Sequence, residues 1–438
     1  MSKPAVSPLA ASIRGALARD GRIVSWQLRS TRERGLQTYL VKDQVEAERR
    51  TDGETHAVAV FVKNDDMLGR AGITLTEADA QRVPKRIDEA VYMAGLGGDA
   101  PWSLPAAGTE PAVHVFDEAL SGENARATSR NLVAAWRSAV KMQSGARPSS
   151  MELFCGETET WQENSHGFKA QSRATRVSML TLLLAKGERA AERISWDERR
   201  RASDLDVGEI VGRVAEEARD LTHAAQPPSG QVAVVIDAQE IGGFLAPVQT
   251  NASANSLYQK SSRFEVGKPL PIEIKGGEPL TVYSNAIAPY GLSSYAFDDD
   301  GTPGQRVALI EKNAFTHPWG TKQFADYLKV PATGAFGNWE LPAGSTPLAD
   351  LLRGDGPVLY VRAFSWLTPD AARGNFGTEI RVGYWYEKGE RRPVKGGTVS
   401  GNVFAALGTA RYSKETVFLG DYLGPAAVRF EGLTVAGA

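Results

Sequence analysis

The sequence predicts an α+β protein of two domains. Residues 1–225 form an N-terminal α/β domain with an antiparallel meander sheet and helices, and residues 226–438 a β-rich C-terminal domain. Three observations point there. A chain of 438 residues exceeds one ordinary hydrophobic core. Its first half mixes runs of alternating apolar and polar residues with segments of helical periodicity. After Gln226-Pro-Pro-Ser-Gly230 the chain changes to short strands and Gly-rich turns, which makes that turn the natural boundary.

Val6, Leu9, Ala10, Ile13 and Leu17 fall at helical spacing, and Asp20-Gly21 closes that helix. Strand-like pieces follow at Ile23 to Ser30, Gln37 to Ala47, His56 to Lys63 and Leu68 to Thr74, separated by Gly, Asp or Arg-Glu turns. Thr76-Glu-Ala-Asp opens a helix running to about Met93. A second helix, Asn124 to Met142, sets Leu132, Ala135, Trp136 and Val140 on one face. Met151 to Thr160 and Gly167 to Lys186 are strand-like and meet around Asn164-Ser-His-Gly167. A charged stretch, Glu188 to Asp206, leads into a helix from Val207 to Ala225 with Ile210, Val211, Val214, Ala215 and Ala218 inward. In the C-terminal half only Thr321 to Leu328 and Thr346 to Leu352 look helical, and no internal repeat is evident.

Composition excludes several function classes. Fifty basic against 52 acidic residues give a net charge of -2, so no general field draws nucleic acid or an anionic membrane. No segment approaches the roughly 20 apolar residues of a membrane span. The N-terminus lacks the apolar stretch of a signal peptide, and the expectation is a cytoplasmic protein. One cysteine, Cys155, rules out an internal disulfide and any Cys-x-x-Cys motif, and fits a small strand residue.

Chemistry-bearing motifs are few. His56, His114, His166, His223 and His317 include no pair at i, i+4, so no helix presents two imidazoles to one metal. Gly95-Leu-Gly-Gly98 follows a helix rather than a strand and reads as a connecting loop. Ser138-Ala-Val-Lys141 matches a serine acylase motif whose Ser-Asp-Asn companion is missing. Asp298, Asp299 and Asp300 precede Gly301 in a turn that lacks the alternating ligands of a calcium loop. His166 and His317 read as loop residues.

Read in order, several segments resemble the TldD/PmbA family, peptidases also called modulators of DNA gyrase. They are Asn164-Ser-His-Gly167 between two strands, Pro227-Pro-Ser-Gly230 before the strand Val232 to Ile236, and Phe297-Asp-Asp-Asp-Gly-Thr-Pro303. Ala308 to Asn313, Gly377 to Gly383, Tyr386 to Gly389, Arg392 to Gly396, Thr398 to Asn402 and Glu431 to Gly437 follow in order and at the family's spacing. The resemblance implies a C-terminal domain of the TldD/PmbA type. TldD-type members hold zinc with His-Glu-x-x-x-His and a later cysteine. Here those positions correspond to Leu245, Ala246 and Thr250, and the late cysteine is missing. The chain therefore looks like the PmbA/TldE branch, which implies no catalytic residue, metal or cofactor of its own.

The expected function is then that of a metal-free subunit. It would bind extended peptide or unfolded polypeptide and help enclose it for a TldD-like zinc metallopeptidase partner. Asp298, Asp299, Asp300, His317, Trp339 and Trp366 are the candidate peptide contacts, with core packing the alternative for Trp339, Trp366 and Trp385. Two other readings stand beside it. One is a metallopeptidase with unfamiliar ligands, such as His223, His317 and Asp298 to Asp300; the other is a stand-alone homodimeric peptide-binding protein.

Overall fold

The computed structural model describes residues 7–438, so Val6 lies outside the described residues. Helix α1 (Pro8–Arg19) starts where the Ser7 hydroxyl accepts the Ala10 N–H at 3.2 Å, and it buries Leu9, Ala10, Ile13 and Leu17. Strands β1 (Ile23–Val41), β2 (Gln44–Asn64) and β3 (Met67–Leu75) form a meander, followed by α2 (Val83–Ala94). Then come α3 (Asn124–Lys141), β4 (Ala146–Asn164), β5 (Lys169–Lys186), β6 (Ala190–Arg199) and α4 (Val207–Leu221). The six strands make one antiparallel sheet ordered β3-β2-β1-β4-β5-β6.

Element order therefore repeats: helix, three antiparallel strands, helix, twice over, with β1 and β4 paired at the centre. The sequence carries no evident trace of it. Both sets of helices cover the same face. Ile13, Ile87 and Val91 pack on Val58 and Val60, while Trp136, Val211 and Val214 pack on Leu153 and Met179. The Trp136 indole donates to Thr181 Oγ1 at 3.1 Å.

Four local expectations are corrected. The predicted turn between Ser30 and Gln37 is continuous strand, and the chain reverses at Lys42, where φ is 56°. Its charged residues are compatible with strand because cross-strand partners take them: Arg32 reaches Asp52 and Arg34 reaches Glu157, both at 2.8 Å. The charged stretch after Glu188 hides β6, whose pattern is inverted. Its polar residues point inward, Arg193 to Glu217 and Asp197 to Arg213, while Ile194 and Trp196 point out. The helix opening at Thr76 begins as a 3-10 turn, Glu77–Arg82, with Asp79 accepting the Thr76 N–H at 3.1 Å. On α3 it is Val133, not Ala135, that faces the core with Trp136 and Val140.

The C-terminal domain starts with β7 (Gly230–Asp237), α5 (Ala238–Phe244), α6 (Ala246–Asn251) and α7 (Ala254–Tyr258). It continues through β8 (Val282–Asn285), β9 (Arg306–Glu311), β10 (Ala314–Phe315), α8 (Lys322–Leu328), β11 (Asn338–Glu340) and α9 (Leu348–Leu351). Next are β12 (Val358–Phe364), β13 (Asn375–Glu387), β14 (Glu390–Val394), β15 (Thr398–Asn402) and α10 (Val403–Leu407). The end is β16 (Arg411–Tyr412), β17 (Thr416–Leu419), β18 (Tyr422–Pro425) and β19 (Ala427–Ala436). The helices expected near Thr321 and Thr346 are α8 and α9. Helices α5, α6, α7 and α10 are too short to show periodicity in the sequence.

Five strands close on themselves in the order β12-β7-β19-β15-β13, because β12 also pairs with β13; β14 hangs on β13. A second sheet runs β10-β9-β8-β11-β18-β17. Helix α5 lies between them, burying Ile241 and Phe244 against Ile236, Leu359 and Phe430. The barrel's outer face, Val235, Val358, Tyr360 and Val382, packs on Leu221 and Ala224 at the end of α4. Ala225 already bonds to the barrel appendage, since its N–H donates to the Pro393 carbonyl at 3.4 Å and its carbonyl accepts the Lys395 N–H at 2.9 Å.

Candidate functional site

Strand β7 hands directly to α5. The Asp237 carboxylate caps that helix by accepting the Gln239 N–H at 3.2 Å, and it also takes Tyr360 Oη at 2.5 Å and Arg362 Nη1 at 2.8 Å. Arg362 also meets Glu217 on α4, which pairs with Arg193 at 2.5 Å. The start of α5 is thereby anchored to the other domain by a buried ionic chain. One turn along, Glu240 Oε1 accepts the Phe364 N–H at 3.2 Å. Burial raises the Glu240 pKa, the Phe364 bond and Arg193 lower it, and neighbouring Asp237 raises it further. Sequence reasoning missed Asp237, Glu240 and Arg362, because acidic and basic residues spread over 126 positions give no local signal.

Leu245 joins α5 to α6. Its N–H reaches the Ile241 carbonyl at 2.9 Å, and its own carbonyl accepts from Val248 at 2.8 Å and Gln249 at 3.2 Å, so the helical path is nearly unbroken. The positions that the resemblance aligns with zinc ligands thus stand on a helix, as such motifs require. Their side chains do not fit a metal. Leu245 is 2% exposed in the core with Ile241, Phe244 and Val248; Ala246 has only a methyl; Thr250 offers one half-buried hydroxyl. Among the described residues no group of three His, Cys, Asp or Glu is placed to hold a metal ion.

Around this helix are aromatic residues. A Cβ on Gly242 would lie 3.4 Å from the Trp339 indole, and one on Gly243 would lie 3.8 Å from Leu367. Trp339 stacks edge-on with Phe336 at 4.7 Å, and Phe336 with Trp319 at 5.8 Å. The Trp319 indole donates to the Gln249 carbonyl at 2.8 Å, which ties this aromatic row to α6. Trp339 is 4% exposed and so belongs to the core rather than to a peptide-contacting surface. Trp366 is 61% exposed in the loop after β12, next to the Leu367 that touches α5. His317 is half-buried, with Nδ1 2.7 Å from the Pro318 carbonyl. Trp385 is buried in the core.

Strand β17 completes the surroundings. It packs against α5, ends its sheet, and among the described residues pairs only with β18. Val417 and Leu419 lean on the core while Thr416 and Phe418 face outward. An extended chain could add to that edge beside the helix.

The acidic turn is placed elsewhere. It docks on the N-terminal sheet: Gln162 Nε2 donates to the Asp298 carbonyl at 2.9 Å, Gln27 donates to the Asp299 carbonyl, and Arg29 pairs with the Asp299 carboxylate. Arg70 stands 3.9 Å from Asp300, and Phe297 meets Phe168 edge-on at 5.0 Å. Asp298 and Asp300 are buried, and only Asp299 has an open side chain. Asp298 Oδ1 accepts the N–H groups of Asp300 at 3.0 Å and Thr302 at 2.8 Å, and Oδ2 is buried without a partner. Burial pushes the Asp298 pKa up to about 7. Asp298 and Asp300 are therefore contacts between domains, unavailable to peptide. His223, exposed at the end of α4, does not join His317 and this turn in any metal-binding group.

Comparisons with known proteins agree with this architecture. Residues 229–437 match the model of the PmbA/TldA metallopeptidase C-terminal domain. A metalloprotease of Methanothermobacter thermautotrophicus is 26% identical over 215 residues, a stretch spanning 46% of this chain and 47% of that protein. The fold is similar to that of TldE from Thermococcus kodakarensis, with a TM-score of 0.82 at 20% identity over 98% of this chain and 99% of that one. It is also similar to a putative modulator of DNA gyrase from Bacteroides thetaiotaomicron, with a TM-score of 0.83 at 16% identity over 99% and 100% of the two chains. Residues 229–437 thus match the PmbA/TldA family's C-terminal domain almost from end to end, and the whole chain shares the two-domain fold of these solved structures.

Proposed function

We propose that this chain is a non-catalytic, metal-free subunit of the PmbA/TldE kind. In this reading it is a cytoplasmic protein that binds extended peptide and helps enclose it for cleavage by a zinc-bearing TldD-like partner. One observation carries the reading: the helix that would present zinc ligands carries Leu245, Ala246 and Thr250, a donor set that can neither hold the ion nor activate a water. What remains beside it is a peptide-sized opportunity, the outer edge of β17 with Phe418 outward, while exposed Trp366 is next to the Leu367 that touches α5. Main-chain pairing along an edge holds peptides of many sequences, which suits a subunit serving a peptidase.

The test measures metal content and peptidase activity of the purified chain, alone and with a TldD-like protein. The expected result is no stoichiometric transition metal, no cleavage alone, and cleavage with the partner that Phe418→Asp weakens several-fold through KM. Stoichiometric metal together with chelator-sensitive cleavage by the chain alone would overturn the reading.

A further inference from the structure

Strand β5 is longer than its outer neighbour. Strand β6 pairs with it only from Val177 to Lys186, so residues 169–176 project past the end of β6, with β4 on one side and no strand on the other. At Thr175 the outer side is closed: the N–H donates to the Val115 carbonyl at 2.9 Å, and the carbonyl accepts Arg200 Nη1 at 3.2 Å. Main-chain groups of alternate residues in a strand point the same way, and no bulge interrupts β5 between Lys169 and Thr175. The N–H and C=O groups of Gln171 and Arg173 therefore also point outward, and among the described residues they bond to nothing there.

Residues 110–115 form a facing wall. They are fixed where Val115 meets Thr175 and where the His114 carbonyl accepts the Tyr290 N–H at 2.7 Å, while residues 110–113 make no main-chain bond to any described residue. Between the walls is an open groove of about 1040 Å³. Both sides of it thus offer unpaired main-chain groups, and a row of such groups at a sheet edge is a template for another strand.

We propose that this groove takes an extended stretch of unfolded polypeptide, added as a strand to residues 169–173 of β5. Length fits: four residue steps at roughly 3.4 Å give about 14 Å of edge, enough to pair about five residues of a guest. Pairing of this kind reads main chain, and the side chains around it add a bias. Trp161, opposite Gln171 in the ladder, offers an apolar face to the groove. Lys169 is exposed on the same face of the sheet, and its cross-strand neighbour Glu163 is already taken by Arg14 at 2.6 Å. Glu110 is the one carboxylate lining the groove. A guest with apolar and acidic side chains on one face therefore meets Trp161 and the unpaired Lys169. The site is on a different sheet from β17 and needs neither metal nor catalytic partner, so it goes beyond the proposed function.

Hydrogen exchange read by mass spectrometry tests this on the full chain, with the octapeptide made of Thr-Val-Thr-Glu repeated twice as probe. The peptide is expected to slow exchange across residues 169–175 at least tenfold, and saturably. Gln171→Pro removes an outward N–H that bonds nothing in the folded chain, a change that edge strands tolerate. It is expected to abolish this protection while exchange elsewhere stays as in wild type. Should that variant not fold, Lys169→Glu has to raise the peptide concentration needed for half-protection several-fold. Absence of protection at millimolar peptide, or unchanged protection in folded Gln171→Pro or Lys169→Glu, overturns the inference. Protection confined to residues 416–419 overturns it too, and leaves the proposed function standing.

Discussion

A carboxylic acid shut away from water keeps its proton, and at Asp298 that preference meets a structural duty. Its Oδ1 organises the turn that fastens the two domains, while its buried Oδ2 has no partner. The folded pKa, about 7, lies above the ordinary 3.8, so the folded state binds the extra proton. Stability from this group is complete below about pH 4 and is lost as pH rises toward 7, by up to roughly 4 kcal/mol. Asp298→Asn keeps an oxygen for the two N–H groups and cannot ionise. Denaturant midpoints at pH 4.5 and pH 8 should differ less in this variant than in wild type, and an equal difference in both would remove Asp298 from the account. The sequence could show the acidic turn but not its destination, because the burial that makes Asp298 unusual comes with docking on the other domain, where Gln27 and Gln162 hold the turn's carbonyls.

At the scale of elements, the segment from Ala238 to Asn251 is held by apolar packing. Leu245 fills core space with Ile241, Phe244 and Val248. Leu245→Ala should therefore cost about 2–5 kcal/mol in a denaturation experiment, the range for emptying a buried leucine site. Gly69 on β3 is constrained more sharply, since a Cβ there would lie 1.9 Å from the Ala94 carbonyl and 2.7 Å from that of Gly97. Gly69→Ala is expected to prise β3 from the end of α2 and lower the melting temperature by several degrees, checked by calorimetry. Long periodic elements were legible: α1, α4 and most of the meander follow from apolar spacing alone. Strand β6 was not, because its inward residues Arg193, Ser195 and Asp197 are polar and find their partners Glu217 and Arg213 on a helix that follows in sequence. The short C-terminal helices were hidden for a simpler reason, having too few turns to display a period.

For the whole molecule, the two domains are joined by more than chain continuity. Arg362 on the barrel bonds Asp237 beneath α5 and Glu217 on α4. Arg362→Ala leaves the buried Asp237 carboxylate without its cation and Glu217 with Arg193 alone, and a loss of about 3–5 kcal/mol is expected in urea denaturation. Were the loss below about 1 kcal/mol, the ionic chain would not be what couples the domains. The positions aligned with the zinc motif were readable as an absence only through family resemblance; nothing in their own spacing announces a helix once the histidines are gone. The repeated helix, three-strand, helix order was illegible for a related reason, since backbone pairing and burial can be met by many side chains.

The first and last strands of the C-terminal domain, β7 and β19, lie next to each other in the closed barrel, with Val235 opposite Arg429 and Val232 opposite Leu433. A ring cannot be sealed before its final stave is set. During synthesis, β7 has to wait for almost two hundred residues to emerge before it gains its neighbour, with its apolar run Val232 to Ile236 uncovered on that side. Such long-range closure is slow and leaves sticky intermediates, so this half of the molecule should be the one that depends on chaperones and that aggregates when production outruns folding.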